Sequence, residues 1–163
     1  VILPLGNSFT IPSSGRPLLI GGGCGVAPML HLSREMKARG LSPVVLIGTR
    51  TSKDILRKEE FEKYATVYYT TEDGSFGEKG YVTQHSILNE TFDSIFCCGP
   101  EVMMKAVAAY ANSKNIECEV SLENTMACGI GACLCCVTDT KEGNKCVCTE
   151  GPIFNIKDLK WQI

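Results

Sequence analysis

The chain has 163 residues, 44% of them hydrophobic, with charges of both signs interspersed to a net charge of −2. That length and apolar content suffice for a packed core without disulfide staples, and no basic stripe or charged tail points to nucleic acid or an anionic membrane as partner. No secretory leader or apolar run of membrane-spanning length is visible, so a reducing cytoplasm is the expected setting for the ten cysteines.

Residues 1–16, opening on Val1-Ile2-Leu3-Pro4-Leu5-Gly6-Asn7, read as the tail of a preceding domain. From Pro17 to Glu123 short apolar runs alternate with helical patterns. Leu18-Leu19-Ile20 predicts a first strand, and a helix follows from Pro28 to Arg39, stopped by Gly40. Val44-Val45-Leu46-Ile47 predicts the second strand, Asp54 to Tyr64 a charged surface helix, and Val67-Tyr68-Tyr69 the third strand. A glycine-rich stretch from Asp73 to Gly80 leads to a short helix near Thr83 to Leu88. Ser94 to Cys97 predicts the fourth strand, Glu101 to Ser113 a helix, and Cys118 to Leu122 the fifth strand. This alternation predicts an α/β domain over residues 17–123, with a parallel five-stranded sheet covered on both faces. After Asn124 the pattern changes to a cysteine-rich loop and a hairpin around Glu142-Gly143-Asn144, so residues 124–163 form a second, smaller unit.

The turn after the first strand reads Gly22-Gly23-Cys24-Gly25-Val26-Ala27-Pro28. Its glycines let the backbone approach a pyrophosphate, and the helix start adds partial positive charge. Pro28 takes the place of the last glycine of the usual dinucleotide fingerprint; proline is tolerated in the first helical turn. Such a turn also serves purely local needs, but its place after the first strand favours a dinucleotide. Ligands of open α/β sheets lie at the carboxyl ends of the strands. Thr71, Glu72 and Asp73 follow the third strand, where acidic groups would bind a free ribose diol and repel a 2′-phosphate; that favours NAD over NADP. Cys98, Gly99 and Pro100 follow the fourth.

Cys128, Cys133 and Cys136 have C-x4-C-x2-C spacing, with Cys146 and Cys148 downstream as sources of a fourth thiolate. This is the plant-ferredoxin pattern for a [2Fe-2S] cluster, and the x4/x2 spacing selects Cys136 over its neighbour Cys135. Gly129 and Gly131 suit a loop whose amides must approach sulfur. A zinc site usually offers two short paired motifs, and the second half here has Cys146-Val147-Cys148 instead. Cys118, in a strand-like run, reads as an ordinary buried thiol.

The Gly21–Pro28 turn and Cys98-Gly99-Pro100-Glu101-Val102-Met103 resemble the nucleotide-binding half of the ferredoxin reductase superfamily. With Asp73-Gly74-Ser75-Phe76-Gly77, Met126 to Cys133, and Cys148-Thr149-Glu150-Gly151-Pro152-Ile153-Phe154, the chain resembles the electron-transfer subunits of NAD-dependent (class 1B) dihydroorotate dehydrogenases. The resemblance implies a ferredoxin-reductase-type, Rossmann-like domain followed by a [2Fe-2S] domain. It selects Cys148 as fourth ligand with Cys128, Cys133 and Cys136, and leaves Cys135 and Cys146 without a role. It further implies that dihydroorotate is oxidised at an FMN in a separate catalytic subunit, in a two-plus-two heterotetramer. Electrons would pass through the cluster to FAD and then to NAD. FAD would sit mainly on an N-terminal barrel whose exit Leu3 to Asn7 resembles, so this stretch alone is expected to be inactive. Cys98 would lie where nicotinamide meets flavin and position the ring; the bland alternative is a small apolar residue at a strand end. Glu123 could reach the flavin but reads better as an exposed loop residue, and neither His31 nor His85 is assigned a catalytic role.

Two other functions compete. One is the related subunit of a ferredoxin:NAD(P) oxidoreductase or sulfhydrogenase, against which Cys128 argues, since several of those proteins resemble this chain but carry another residue at the first ligand position. The other is a non-catalytic zinc-stapled or redox-sensing module.

Overall fold

A computed structural model describes residues 5–161; positions 1–4 of the expected tail lie outside the described residues, as do 162 and 163. The first part of the chain runs β1 (Pro17–Gly22), α1 (Val26–Ala38), β2 (Val44–Thr49), α2 (Lys58–Phe61), β3 (Thr66–Thr71) and β4 (Glu78–Lys79). It continues with β5 (Ser94–Cys98), α3 (Glu101–Lys114) and β6 (Glu117–Ser121). The cysteine segment adds β7 (Val137–Thr140), β8 (Gly143–Cys146), α4 (Val147–Glu150) and β9 (Ile153–Asn155).

All five expected parallel strands are present, in the order β3-β2-β1-β5-β6. Two short strands widen the sheet to seven: β4 pairs parallel with β3, and β9 pairs antiparallel with β6. β1 is buried along its whole length, as a central parallel strand must be when both faces are covered. Its side chains alternate between two cores. Leu18 and Ile20 join Leu46, Ile95 and Val107 on the α3 side, whereas Leu19 joins Val45, Met29 and Phe96 on the α1 side.

Some local expectations need correction. α1 begins at Val26, after a single 3₁₀ turn at Gly23–Gly25, so Pro28 is its third residue. The proline still costs nothing there, because the first four N–H groups of a helix have no partner within it. The helix expected from Asp54 to Tyr64 is replaced by a 3₁₀ turn at Ser52–Asp54, capped by Thr51, and by the four residues of α2. Ile55 and Phe61 both pack into the α1-side core. Six residues apart, they would point about 120° apart on one continuous helix. The chain therefore breaks, passing through a left-handed Arg57 (φ 56°). Between Val82 and Asn89 two 3₁₀ turns stand where one short helix was expected, with buried His85 between them accepting from the Ile87 N–H through Nδ1 (3.0 Å).

The cysteine segment is welded to the sheet. Cys136, Val147, Cys148, Phe154, Ile156 and Leu159 are buried in the same core as Leu18, Ile95 and Val120. β9 adds the register Val120↔Phe154, and the Leu122 N–H donates to the Pro152 carbonyl (2.9 Å). On its other side Asn7 donates through Nδ2 to the carbonyls of Glu150 (3.0 Å) and Ile153 (2.8 Å) and accepts from the Ile153 N–H (2.9 Å). The change of chemistry near Asn124 is thus not a break in the core. Phe154→Ala should cost about 3–5 kcal/mol and leave denaturant unfolding as one transition followed identically by fluorescence and far-UV circular dichroism. Two separated transitions would mean that residues 124–163 fold independently.

Candidate nucleotide and metal-cluster site

The five long strands are parallel, so their carboxyl ends share one edge of the sheet, in the order Thr71, Thr49, Gly22, Cys98, Ser121. Chain order reverses between β1 and β5, and a crevice opens at such a reversal in α/β sheets. The Gly23–Gly25 turn leans over it. A Cβ on Gly25 would lie 2.2 Å from the Cys98 carbonyl oxygen, so the turn and the end of β5 touch only because that Cβ is missing. Gly23 has a left-handed φ of +56° and open space where a Cβ would be, which leaves its backbone approachable from outside. The α1 N-terminus follows immediately. Backbone donors and the helix dipole here suit a pyrophosphate.

The ribose candidates divide on inspection. Thr71 is buried, and its hydroxyl is spent on Phe76, donating to the carbonyl (2.9 Å) and accepting from the N–H (3.1 Å). The Asp73 carboxylate accepts from the Ser75 hydroxyl (2.6 Å) and N–H (2.9 Å), which holds it below the usual carboxylate range. Glu72 is exposed, as Asp73 is, and lacks the Ser75 contacts that occupy one oxygen of Asp73. From β3 to β5 is three strand spacings, about 14 Å, a span that suits a dinucleotide laid across the edge. Two residues that sequence reasoning missed stand on it: Arg50, exposed just past β2, and Tyr81, 61% exposed just past β4. Arg50 offers a guanidinium to a phosphate and Tyr81 a free ring face to a base. Their signal was position after a strand end, visible for Tyr81 only once β4 is known.

Cys98 is buried, with its thiol beside Ser121 on the neighbouring strand. Burial pushes its pKa up, with Glu123 and Cys24 adding to the effect. A neutral thiol packs and orients; it is a poor nucleophile. Gly99 and Pro100 line a neighbouring cavity of about 270 Å³ with Leu122, Glu123, Asn124 and Trp161. Cys97 and Cys118 are buried thiols of the sheet, and Cys118 is pushed up to about 12, chiefly by burial.

The four expected ligands form two pairs. Cys133 donates its N–H to the Cys128 sulfur (3.4 Å), and Cys148 donates its N–H to the Cys136 sulfur (3.4 Å). The Ile130 N–H also points at the Cys128 sulfur (3.5 Å) and is the main reason that thiol falls to about 6. The Cys148 amide lowers Cys136 in the same way. The loop achieves this by coiling through left-handed residues at Gly129, Gly131 and Leu134 (φ 70°, 77° and 57°). Among the described residues, no three His, Cys, Asp or Glu side chains close around a single ion position. Cys128, Cys133, Cys136 and Cys148, with amides aimed at two of their sulfurs, would hold a [2Fe-2S] cluster through four thiolates, which would supply one-electron transfer. Cys128 and Cys133 lie at the surface side of this arrangement, and Cys136 and Cys148 on its buried side. Of the remaining two, Cys135 is exposed, and half-buried Cys146 packs by Cys136 with its thiol toward the Gly131 carbonyl (3.9 Å).

Comparison with known proteins agrees with this division. Residues 19–109 match a family model described as an oxidoreductase NAD-binding domain. The chain belongs to that family. Residues 123–160 match the iron–sulfur cluster binding domain of dihydroorotate dehydrogenase B, so this NAD-binding oxidoreductase chain carries an iron–sulfur domain as well. A relative from Clostridium perfringens, named as the electron transfer subunit of dihydroorotate dehydrogenase B (NAD⁺), is 40% identical across 95% of this chain and 63% of its own length. One from Methanocaldococcus jannaschii, named as a probable subunit of the same kind, is 42% identical across 97% of this chain and 62% of its own. The chain thus spans under two thirds of the length of these curated relatives. Among solved structures, one titled as an NADH-dependent reduced ferredoxin-NADP oxidoreductase superposes with a TM-score of 0.88 at 31% identity, covering 98% of this chain and 59% of that one. The C-terminal domain of a Pyrococcus furiosus hydrogenase shares the fold, with a TM-score of 0.58 at 20% identity over 73% of this chain and all of that one.

Anaerobically prepared protein should contain about two irons and two acid-labile sulfides per chain and give a [2Fe-2S] EPR signal on dithionite reduction. Serine at Cys128, Cys133, Cys136 or Cys148 should abolish or strongly alter that signal, and Cys135→Ser should not. Stoichiometric zinc in place of iron would overturn the assignment.

Proposed function

We propose that the chain is the NAD- and cluster-bearing part of the electron-transfer subunit of an NAD-dependent dihydroorotate dehydrogenase, acting in the cytoplasm in pyrimidine biosynthesis. It would work with FAD and with an FMN-containing catalytic subunit in a two-plus-two assembly. The observation that carries this reading is the pair of amide-bonded thiol couples built onto the edge of a dinucleotide sheet. A cluster held by Cys128, Cys133, Cys136 and Cys148 supplies single-electron transfer, whereas nicotinamide takes two electrons as hydride; a flavin is the cofactor that joins the two regimes.

The chain's own residues would act as follows. The Gly23–Gly25 turn and the α1 N-terminus hold the pyrophosphate, and Glu72 takes the ribose diol. Cys98, whose thiol burial pushes further from ionising, keeps the nicotinamide ring in register without taking part in bond making. The partner is met through the cluster loop. Met126, Ile130 and Leu134 are 49%, 57% and 64% exposed, and Leu5, 46% exposed, lies beside Gly129. Four of the seven exposed large apolar side chains among the described residues thus surround the cysteines, an apolar patch of the kind that marks protein interfaces. The likeness to the ferredoxin-NADP oxidoreductase structure favours a second reading, with ferredoxin as the electron partner.

The deciding test is electron source. The complete protein with its flavins should couple dihydroorotate oxidation to NAD reduction, and Ile130→Glu or Leu134→Glu should uncouple the two while leaving NADH-to-flavin transfer intact. Transfer from reduced ferredoxin without dihydroorotate activity would establish the second reading. For the nucleotide, kcat/KM should favour NADH over NADPH, and Glu72→Ser should narrow the ratio by at least about tenfold, or 1.4 kcal/mol. A parent that prefers NADPH would place the ribose elsewhere.

A further inference from the structure

Asn124 is the residue on which the nucleotide edge and the cysteine loop meet. It follows β6 by three positions and lines the cavity shared with Gly99, Pro100 and Leu122. Its side chain is half-buried and reaches into the cysteine segment. Nδ2 donates to two consecutive carbonyls, those of Cys136 (3.2 Å) and Val137 (3.3 Å).

Cys136 is buried, as is its pair partner Cys148, and is held from several directions. Its sulfur accepts the Cys148 N–H (3.4 Å), and its carbonyl accepts the Val147 N–H (3.2 Å) as well as Asn124. The first two bonds come from within the cysteine segment. The Asn124 bond comes from the chain that leaves the dinucleotide sheet, so it relates Cys136 to the cavity wall. The amide group suits the task, since its two N–H donors can serve two adjacent carbonyls at once. An aspartate there would place carboxylate oxygens against the same carbonyls, and a leucine would leave both without that donor.

We propose that Asn124 is a positioning residue: it fixes the backbone of Cys136, and with it the iron that Cys136 holds, relative to the cavity at the end of β5 and β6. This rests on the assignment of Cys136 as a cluster ligand. Outer partners of metal ligands set ligand orientation and the electronic properties of the centre. Asn124 therefore tunes the cluster from the side facing the nucleotide edge. One side-chain hydrogen bond links the cavity wall to a cluster ligand.

The test compares the intact, anaerobically loaded protein with Asn124→Leu, Asn124→Asp and Asn124→Gln, reading iron content, visible circular dichroism, EPR and the cluster's reduction potential. The Leu and Asp variants should still take up iron, but chelator-driven iron loss should be about tenfold faster, the low end for loss of such an outer partner. Their EPR and circular dichroism should differ from the parent's, and the Asp variant should have the lower potential because it adds negative charge. The Gln variant, which keeps both donors, should lie closer to the parent. The proposal falls if the Leu and Asp proteins match the parent in spectra and potential, whatever happens to their stability. It also falls if both are unfolded without cluster, which would make Asn124 a folding residue. A parent without iron would instead sink the cluster assignment itself.

Discussion

The short antiparallel pairing of β9 with β6 is the constraint on which the rest of the molecule depends. Three residues, Ile153 to Asn155, place the segment that follows Cys148 against the strand that ends beside Cys98. Without it the cysteine segment would lose its strand pairing and keep only the connection at Asn124 and its side-chain packing on the sheet. With it, Phe154 and Val120 share one core, and the loop has a defined place relative to the nucleotide edge. Electron transfer weakens steeply with distance, so in the proposed relay a fixed placement would serve function as much as structure. Asn7 reinforces it from outside, using its amide as a short piece of strand against Ile153.

Much of this was legible in the sequence because the signals were strong and local. A central parallel strand must be apolar throughout, and Leu18-Leu19-Ile20 and Val44 to Ile47 are. The iron–sulfur domain that the comparison finds over residues 123–160 was announced by the spacing of Cys128, Cys133 and Cys136. What stayed hidden was either too short to carry a period or dependent on contacts distant in sequence. β4 has two residues and β9 three, which is less than one reading of strand alternation can detect. The break before α2 follows from the need to bury Ile55 and Phe61 together, a tertiary demand that local charge patterning masked. The amide of Asn124 has no motif at all; its meaning lies wholly in which carbonyls it reaches.

The thiols show how one residue type is given different chemistry by its surroundings. Cys118 and Cys97 lie within the sheet, where burial disfavours the thiolate, and their pKa values are raised. Cys128 stands on a loop whose N–H groups turn inward, and the same group falls to about 6. Burial is the leading cause at Cys118 and Cys97, with Glu119 and Glu117 also raising Cys118, whereas the fall at Cys128 has another origin. It comes from backbone amides, which the left-handed turns at Gly129, Gly131 and Leu134 make available by taking them out of regular hydrogen bonding. A loop that spends its donors on sulfur is unsuited to helix or strand, which is why this stretch is irregular.

The same reasoning connects the two ends of the site. At the nucleotide turn, amides freed at the start of α1 can face an anionic phosphate; at the cysteine loop, amides freed by glycine turns face anionic sulfur. Both are sites where the main chain supplies the counter-charge and side chains supply selectivity. That division explains why few charged side chains are needed at either end despite the anionic groups each would hold. It also explains why the glycines matter more than their size suggests. At Gly25 a methyl group would strike the Cys98 carbonyl and displace the turn from the crevice.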